Sequence, residues 1–119
     1  MTATLPRNGH QVVVRKRPGA AVPMRANLLV IYSSRIEDCR DFYGSLGLDF
    51  RAEQHGNGPR HYAAVLPDGL VVEIYPAAAA GATGALRLGF AVEGLPGHAA
   101  GRHVLRDPDG RAVEVHVHS

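Results

Sequence analysis

Two glutamates, Glu73 and Glu114, stand at equivalent places in two similar stretches of this 119-residue chain. Each lies four residues beyond the glycine of an Asp-Gly turn, Gly69 in the first case and Gly110 in the second. The first stretch is Val65-Leu66-Pro67-Asp68-Gly69-Leu70-Val71-Val72-Glu73-Ile74-Tyr75. The second is Val104-Leu105 followed by Asp107-Pro108-Asp109-Gly110-Arg111-Ala112-Val113-Glu114-Val115-His116. Both read as strand, tight turn, strand, so the two hairpins look like copies of one unit. Carboxylates brought onto one surface repel unless a cation or a shared proton lies between them. Such a pair is equipped to hold a cation or to move a proton.

Histidines are the natural companions of these carboxylates. His116 shares a strand face with Glu114 at two-residue spacing, and His61 opens the strand that pairs with the one carrying Glu73. Glu73, Glu114, His116 and His61 therefore form one divalent-metal set to consider. His55 lies among Gly56, Gly58 and Pro59 in a turn, where it could form a pocket rim with His61 and Tyr62 or serve only the turn. His10, His98, His103 and His118 read as loop, turn or terminal residues. Cys39, the sole cysteine, sits in an apolar stripe and reads as a core residue; it excludes an internal disulfide. No Ser-His-Asp order, phosphate loop or dinucleotide fingerprint is present.

The elements that must position these residues are short. Asn27 to Tyr32 has the length and β-branched content of a strand. A helix should follow, with Ser34 and Glu37 at the spacing of a capping box and Ile36, Cys39, Phe42, Tyr43 and Leu46 as its apolar stripe, stopping at Gly47. Strands are expected at Leu48 to Gln54, His61 to Leu66 and Leu70 to Tyr75, which gives the order β-α-β-β-β. Pro76 to Ala85 reads as a linker of small residues. Beyond it come strands at Leu86 to Val92, Arg102 to Arg106 and Arg111 to Val117. Ahead of it all, residues 1–26 look like an extension in which Gln11 to Arg17 could form an added strand, flanked by breaks at Pro6, Pro18 and Pro23. The domain proper spans 27–117, with a first module at 27–75, the linker at 76–85 and a second module at 86–117.

Composition sets the outer bounds. With 45% hydrophobic and 20% charged residues, the chain has the profile of one globular domain with one core. Its 14 glycines and 8 prolines favour many short strands over long helices. The formal charge is only +2, and the one dense basic run, Arg15-Lys16-Arg17, reads as a solvated tail, so no nucleic-acid partner is expected. No apolar run is long enough to span a membrane, and the opening residues lack the pattern of a secretory signal, so the expected location is the cytoplasm.

The segments NLLVIYSSRIEDCRDFYGSLGLDF, HYAAVLPDGLVVEIYP and RDPDGRAVEVHV together resemble the vicinal oxygen chelate superfamily, the family of glyoxalases, bleomycin-resistance proteins and extradiol dioxygenases. The resemblance implies an α+β fold of paired βαβββ modules whose sheet curves into a U around a cavity. It also implies a divalent metal held by side chains from the first and fourth strands of each module. Those positions fall on Leu28, Glu73, Arg87 and Glu114. Only the glutamates are of a ligating type, because a leucine has no donor atom and a guanidinium is itself a cation.

The second module is markedly shorter than the first, and what is missing is the helix and one strand. The added strand at Gln11 to Arg17, or a partner subunit, is expected to fill that gap. Alternation places Leu28, Val30, Tyr32, Val71 and Tyr75 on the cavity face with Glu73, Arg87, Glu114 and His116. Arg87 is expected to pair with Glu73, Glu114 or both, in place of a metal.

Three functions follow. The first is a metal-independent small-molecule-binding protein of the drug-sequestering kind, with Leu28, Val30, Tyr32, His61, Tyr75, Arg87 and His116 around the ligand and no cofactor. The second is a metal-dependent glyoxalase-type lyase or isomerase, or a dioxygenase, with Glu73 and Glu114 catalytic and histidines as ligands. The third is a degenerate module without chemistry. By resemblance, a homodimer is implied in each case.

Overall fold

The computed structural model describes residues 24–78 and 81–119, together with the backbone of two strands at 2–7 and 10–15. Those two strands, β1 (Thr2–Arg7) and β2 (His10–Arg15), pair antiparallel in a two-stranded sheet of their own. The added strand is thus found as β2, but its partner is β1 and not the second module. Residues 16 and 17 of that expectation, and Pro18 and Pro23, lie outside the described residues. The break expected at Pro6 does not occur: β1 runs through it, as a ribbon with two free edges permits.

The first module is β3 (Leu28–Ser33), α1 (Ile36–Ser45), β4 (Arg51–Glu53), β5 (His61–Val65) and β6 (Val71–Pro76). Its strands lie in the order β3-β6-β5-β4, with β3 parallel to β6 and the other pairs antiparallel. The second module is β7 (Leu88–Val92), β8 (Gly101–Arg106) and β9 (Ala112–Val117), in the order β7-β9-β8. Again its first and last strands are parallel neighbours, and a hairpin supplies the third. The module is a copy of the first without a helix and without a counterpart of β4.

The repeat seen in the sequence is a repeat of backbone geometry. Leu66 N–H donates to Leu70 O at 2.8 Å and Gly69 N–H to Leu66 O at 2.9 Å. In the second hairpin Asp107 N–H donates to Arg111 O at 3.1 Å and Gly110 N–H to Asp107 O at 2.8 Å. Gly69 and Gly110 have φ of 94° and 87°, a left-handed conformation that a side chain would strain.

Alternation decides the core. Ile31, Ile74, Leu88, Val113 and Val115 are buried on one face of the two sheets, and Cys39, Tyr43 and Leu46 of α1 join them in a single cluster. One helix therefore serves both sheets, and the Tyr43 ring lies 6.1 Å from that of Phe90 on β7. The capping box does not form: Arg35 is the residue before the helix, with no side-chain cap, and Ser33 Oγ accepts Arg35 N–H at 2.9 Å. The strand expected over Leu48 to Gln54 shrinks to Arg51–Glu53, at the sheet edge where one partner alone holds it.

Nor is the linker featureless. Thr83 N–H donates to Tyr32 O at 2.9 Å, and Tyr32 N–H donates to Thr83 Oγ1 at 2.9 Å, which fastens the segment along the free edge of β3.

Candidate functional site

The face opposite the core carries the side chains with chemistry. Register aligns Val30 with Glu73, Glu73 with Ala63, and His61 with Glu53, so β3, β6, β5 and β4 present these residues on one surface. Leu28 and Tyr32 on this face are 55% and 44% exposed, a large apolar outlay for two residues of one strand. Tyr32 and Tyr75 lie with ring centroids 5.9 Å apart, and His61 stacks flat on Tyr75 at 4.0 Å with 9° between the planes. Partial burial first, and the nearby Glu73 carboxylate second, push the Tyr75 hydroxyl pKa up, so it stays a neutral donor.

His61 is buried, 1% exposed. Its Nδ1 lies 3.2 Å from Pro59 O, while its Nε2 faces Glu53 Oε1 at 3.3 Å and Glu73 Oε2 at 3.5 Å. Tyr62, the next residue, points the other way into the core, where its hydroxyl accepts from Arg40 Nη1 at 3.0 Å. A rim role for Tyr62 is thereby excluded by strand alternation, whereas His55 does approach, with ring centroids 5.3 Å from His61.

Glu114 belongs to a different constellation. Arg87 Nε donates to its Oε2 at 2.8 Å and Arg102 Nε to its Oε1 at 2.7 Å, with His116 Nε2 3.8 Å away. The hydrogen bond from Arg102 above all, against the opposing effect of burial and with Arg87 adding to it, holds the Glu114 carboxyl below the usual range. Arg87 thus pairs with Glu114 and not with Glu73. No ion pair or hydrogen bond joins Glu73 to Glu114 among the described residues, and the set of Glu73, Glu114, His116 and His61 divides into two pairs. Each glutamate is engaged within its own three- or four-stranded sheet, and that separation is why the set does not assemble.

No protein-family model and no curated protein matches the chain. Solved structures do. A protein described as a possible glyoxalase from Bacillus cereus superposes with a TM-score of 0.55 at 16% identity, over 79% of this chain and 99% of its own. The oxidase ChaP-H2 gives 0.57 at 15% identity, over 82% and 96%. TnmS3, an antibiotic binding protein from Streptomyces sp. CB03234, gives 0.53 at 20% identity, over 84% and 99%.

The chain has the glyoxalase and bleomycin-resistance fold. The metal that the resemblance implies would fall on Leu28, Glu73, Arg87 and Glu114, and the chemistry of these four side chains does not fit one. Leu28 offers only methyl groups, Arg87 brings a positive charge, and both oxygens of Glu114 are taken by guanidinium groups.

Three residues of consequence are not evident from motif spacing. Glu53 reaches the His61 neighbourhood because β4 pairs with β5 in a register that sets Glu53 opposite His61. Arg102 sits opposite His116 on β8, one strand over from Glu114. Arg111, buried, binds Asp107 Oδ2 at 2.7 Å and Asp109 Oδ2 at 2.9 Å, and its only signal is a cation directly after an Asp-Gly turn. A separate cavity of about 280 Å³ opens between the two modules, lined by Leu46, Leu48, Leu66, Phe90 and Val92.

Proposed function

We propose that this protein binds a planar aromatic small molecule on the open face of its first sheet, without a metal at the fold's usual position. The observation that carries the reading is the exposed Tyr32 and Leu28 beside the stacked His61 and Tyr75, an aromatic platform with a carboxylate, Glu73, at its centre. Apolar surface rimmed by a few polar groups is what small-molecule sites present. Arg87, Glu114 and His116 supply a charged second wall that contacts the ligand's polar edge. The relationship in fold to an antibiotic binding protein supports the drug-sequestering version of this reading. Two copies pair to close the cavity in this proposal, and the protein acts in the cytoplasm.

The lyase or dioxygenase reading needs Glu73 and Glu114 to work on one substrate with histidine ligands around them. Their separate partners, His61 for one and Arg87 with Arg102 for the other, favour binding over that chemistry.

Titration calorimetry and thermal-shift measurements in a chelator-containing buffer test the proposal, with aromatic antibiotics in one panel and thiol adducts of α-dicarbonyls in another. A ligand at about 100 times its Kd should add about 2.7 kcal/mol of stability. Saturable binding of an aromatic compound that weakens in Tyr32→Ala is the expected result. Silence across the aromatic panel would leave the degenerate-module reading in its place, and turnover of the adducts would establish the enzyme.

A further inference from the structure

Glu53, His55 and His61 bring three ligand atoms within 4.8 Å of one another, beside Glu73 and at the edge of the sheet. Two observations distinguish the group from an ordinary surface cluster. First, His61 is buried and its Nε2 has no hydrogen-bond partner. With Nδ1–H donated to Pro59 O, that nitrogen carries a lone pair, and the lone pair faces two carboxylate oxygens. Such an arrangement is repulsive unless a cation stands between them.

Second, the distances from Glu53 to both imidazoles, and from His61 to Glu73, match those of a coordination polyhedron. Nitrogen and oxygen ligands about 2.1 Å from a tetrahedral zinc ion lie about 3.4 Å from each other. The separations are 3.3 Å for His61 Nε2 to Glu53 Oε1, 3.5 Å for His55 Nε2 to Glu53 Oε1 and 3.5 Å for His61 Nε2 to Glu73 Oε2. A backbone carbonyl holding the far nitrogen is also the usual means of fixing a ligating imidazole. The turn that carries His55 is set by Gly58 N–H donating to His55 O at 2.9 Å and by Gln54 Nε2 donating to Gly58 O at 3.0 Å. A Cβ at Gly58 would meet His55 O at 3.0 Å, a crowded contact that the glycine avoids.

We propose that Glu53, His55 and His61 bind one divalent transition-metal ion of the zinc type, with its fourth position turned toward Glu73. Two imidazoles and a carboxylate are a ligand set zinc accepts, and three protein ligands leave a place open. The inference goes beyond the proposed ligand binding and does not depend on it.

The test uses the full chain, stripped of metal by chelation and titrated with Zn2+ alone, with no organic compound present. Calorimetry and native mass spectrometry should give one equivalent per chain. His55→Ala and Glu53→Gln should each weaken binding by at least about tenfold, as lost ligands or their supports do. His55 is largely exposed, so its loss does not endanger folding. His118→Ala, an exposed residue outside both proposed sites, should leave zinc affinity unchanged. Absence of saturable binding, or binding untouched by both His55→Ala and Glu53→Gln, would overturn the assignment. Because ligand titrations run in chelator, failure of one proposal is distinguishable from failure of the other.

Discussion

Arg111, in the turn of the last hairpin, donates from Nη2 to the backbone carbonyl of Tyr32 at 3.2 Å, and from the same nitrogen to Thr83 O at 3.0 Å. A side chain of the second module thereby fixes the end of the first module's outer strand, next to the aromatic platform. Its counter-charge is Asp107, whose Oδ2 accepts from Arg111 Nη1 at 2.7 Å and from the Tyr43 hydroxyl at 2.6 Å, while Oδ1 accepts two turn amides. In the first hairpin the same two places hold Leu66 and Leu70.

Removing one member of this buried pair leaves an unbalanced charge. Arg111→Leu should therefore lower unfolding free energy by about 3–5 kcal/mol in urea titrations. Arg111→Lys keeps the charge and loses the planar fork, so it should fall between that variant and the parent. An Arg111→Leu protein of parental stability would remove the pair from any structural role.

Acid should act through the same carboxylate. Burial alone would raise the Asp107 pKa, but the Tyr43 hydroxyl, the Arg111 amide and its guanidinium outweigh it, and the group titrates below its ordinary 3.8. A depressed carboxylate contributes stability that is present above the unfolded value and lost as pH falls through the folded one. Unfolding free energy should thus hold down to about pH 4 and then decline. Asp107→Asn should flatten that part of the profile, measured by denaturant melts at stepped pH.

How much of this was legible in the sequence follows from what each feature rests on. Paired hairpins, strand faces and the helical stripe are local periodicities, and Leu28, Val30, Tyr32 and Tyr75 fall on the open face as alternation requires. Whether Arg87 would find Glu73 or Glu114 depends on the distance between sheets, which no spacing encodes. The Glu53, His55 and His61 group depends on an edge strand only three residues long, too brief to leave a pattern. The capping box at Ser34 does not form because the helix begins one residue later, behind Arg35, whose own amide is held by Ser33 Oγ.

The two arginines on Glu114 should be separable. Carboxyl NMR of Glu114 should show titration below its ordinary 4.5, with Arg102→Met moving it upward more than Arg87→Met does. Equal shifts would contradict the closer contact of Arg102.

Stacking on the platform should be measurable once an aromatic ligand is found. Aromatic pairs contribute about 0.5–1.5 kcal/mol beyond area burial, so Tyr32→Ala should weaken affinity by roughly two- to twelvefold. Its exposed side chain makes stability a poor explanation for such a loss.

Cys39 should be inert. Burial first, with Asp109 and Asp107 nearby and against the Ser33 hydroxyl, raises its thiol pKa, and the side chain is fully covered. Alkylation at mildly alkaline pH should proceed only after denaturant is added, as mass spectrometry would show.

Sharing a single helix between two sheets has an evolutionary corollary. Each half of a duplicated fold would ordinarily be free to drift with its own hydrophobic lid. Here the shortened half borrows Tyr43 and its neighbours, so a change in α1 is felt on both sides at once. The copies have become mutually dependent, and neither can be exchanged for a homologous half unless the donor brings a surface complementary to that same helix.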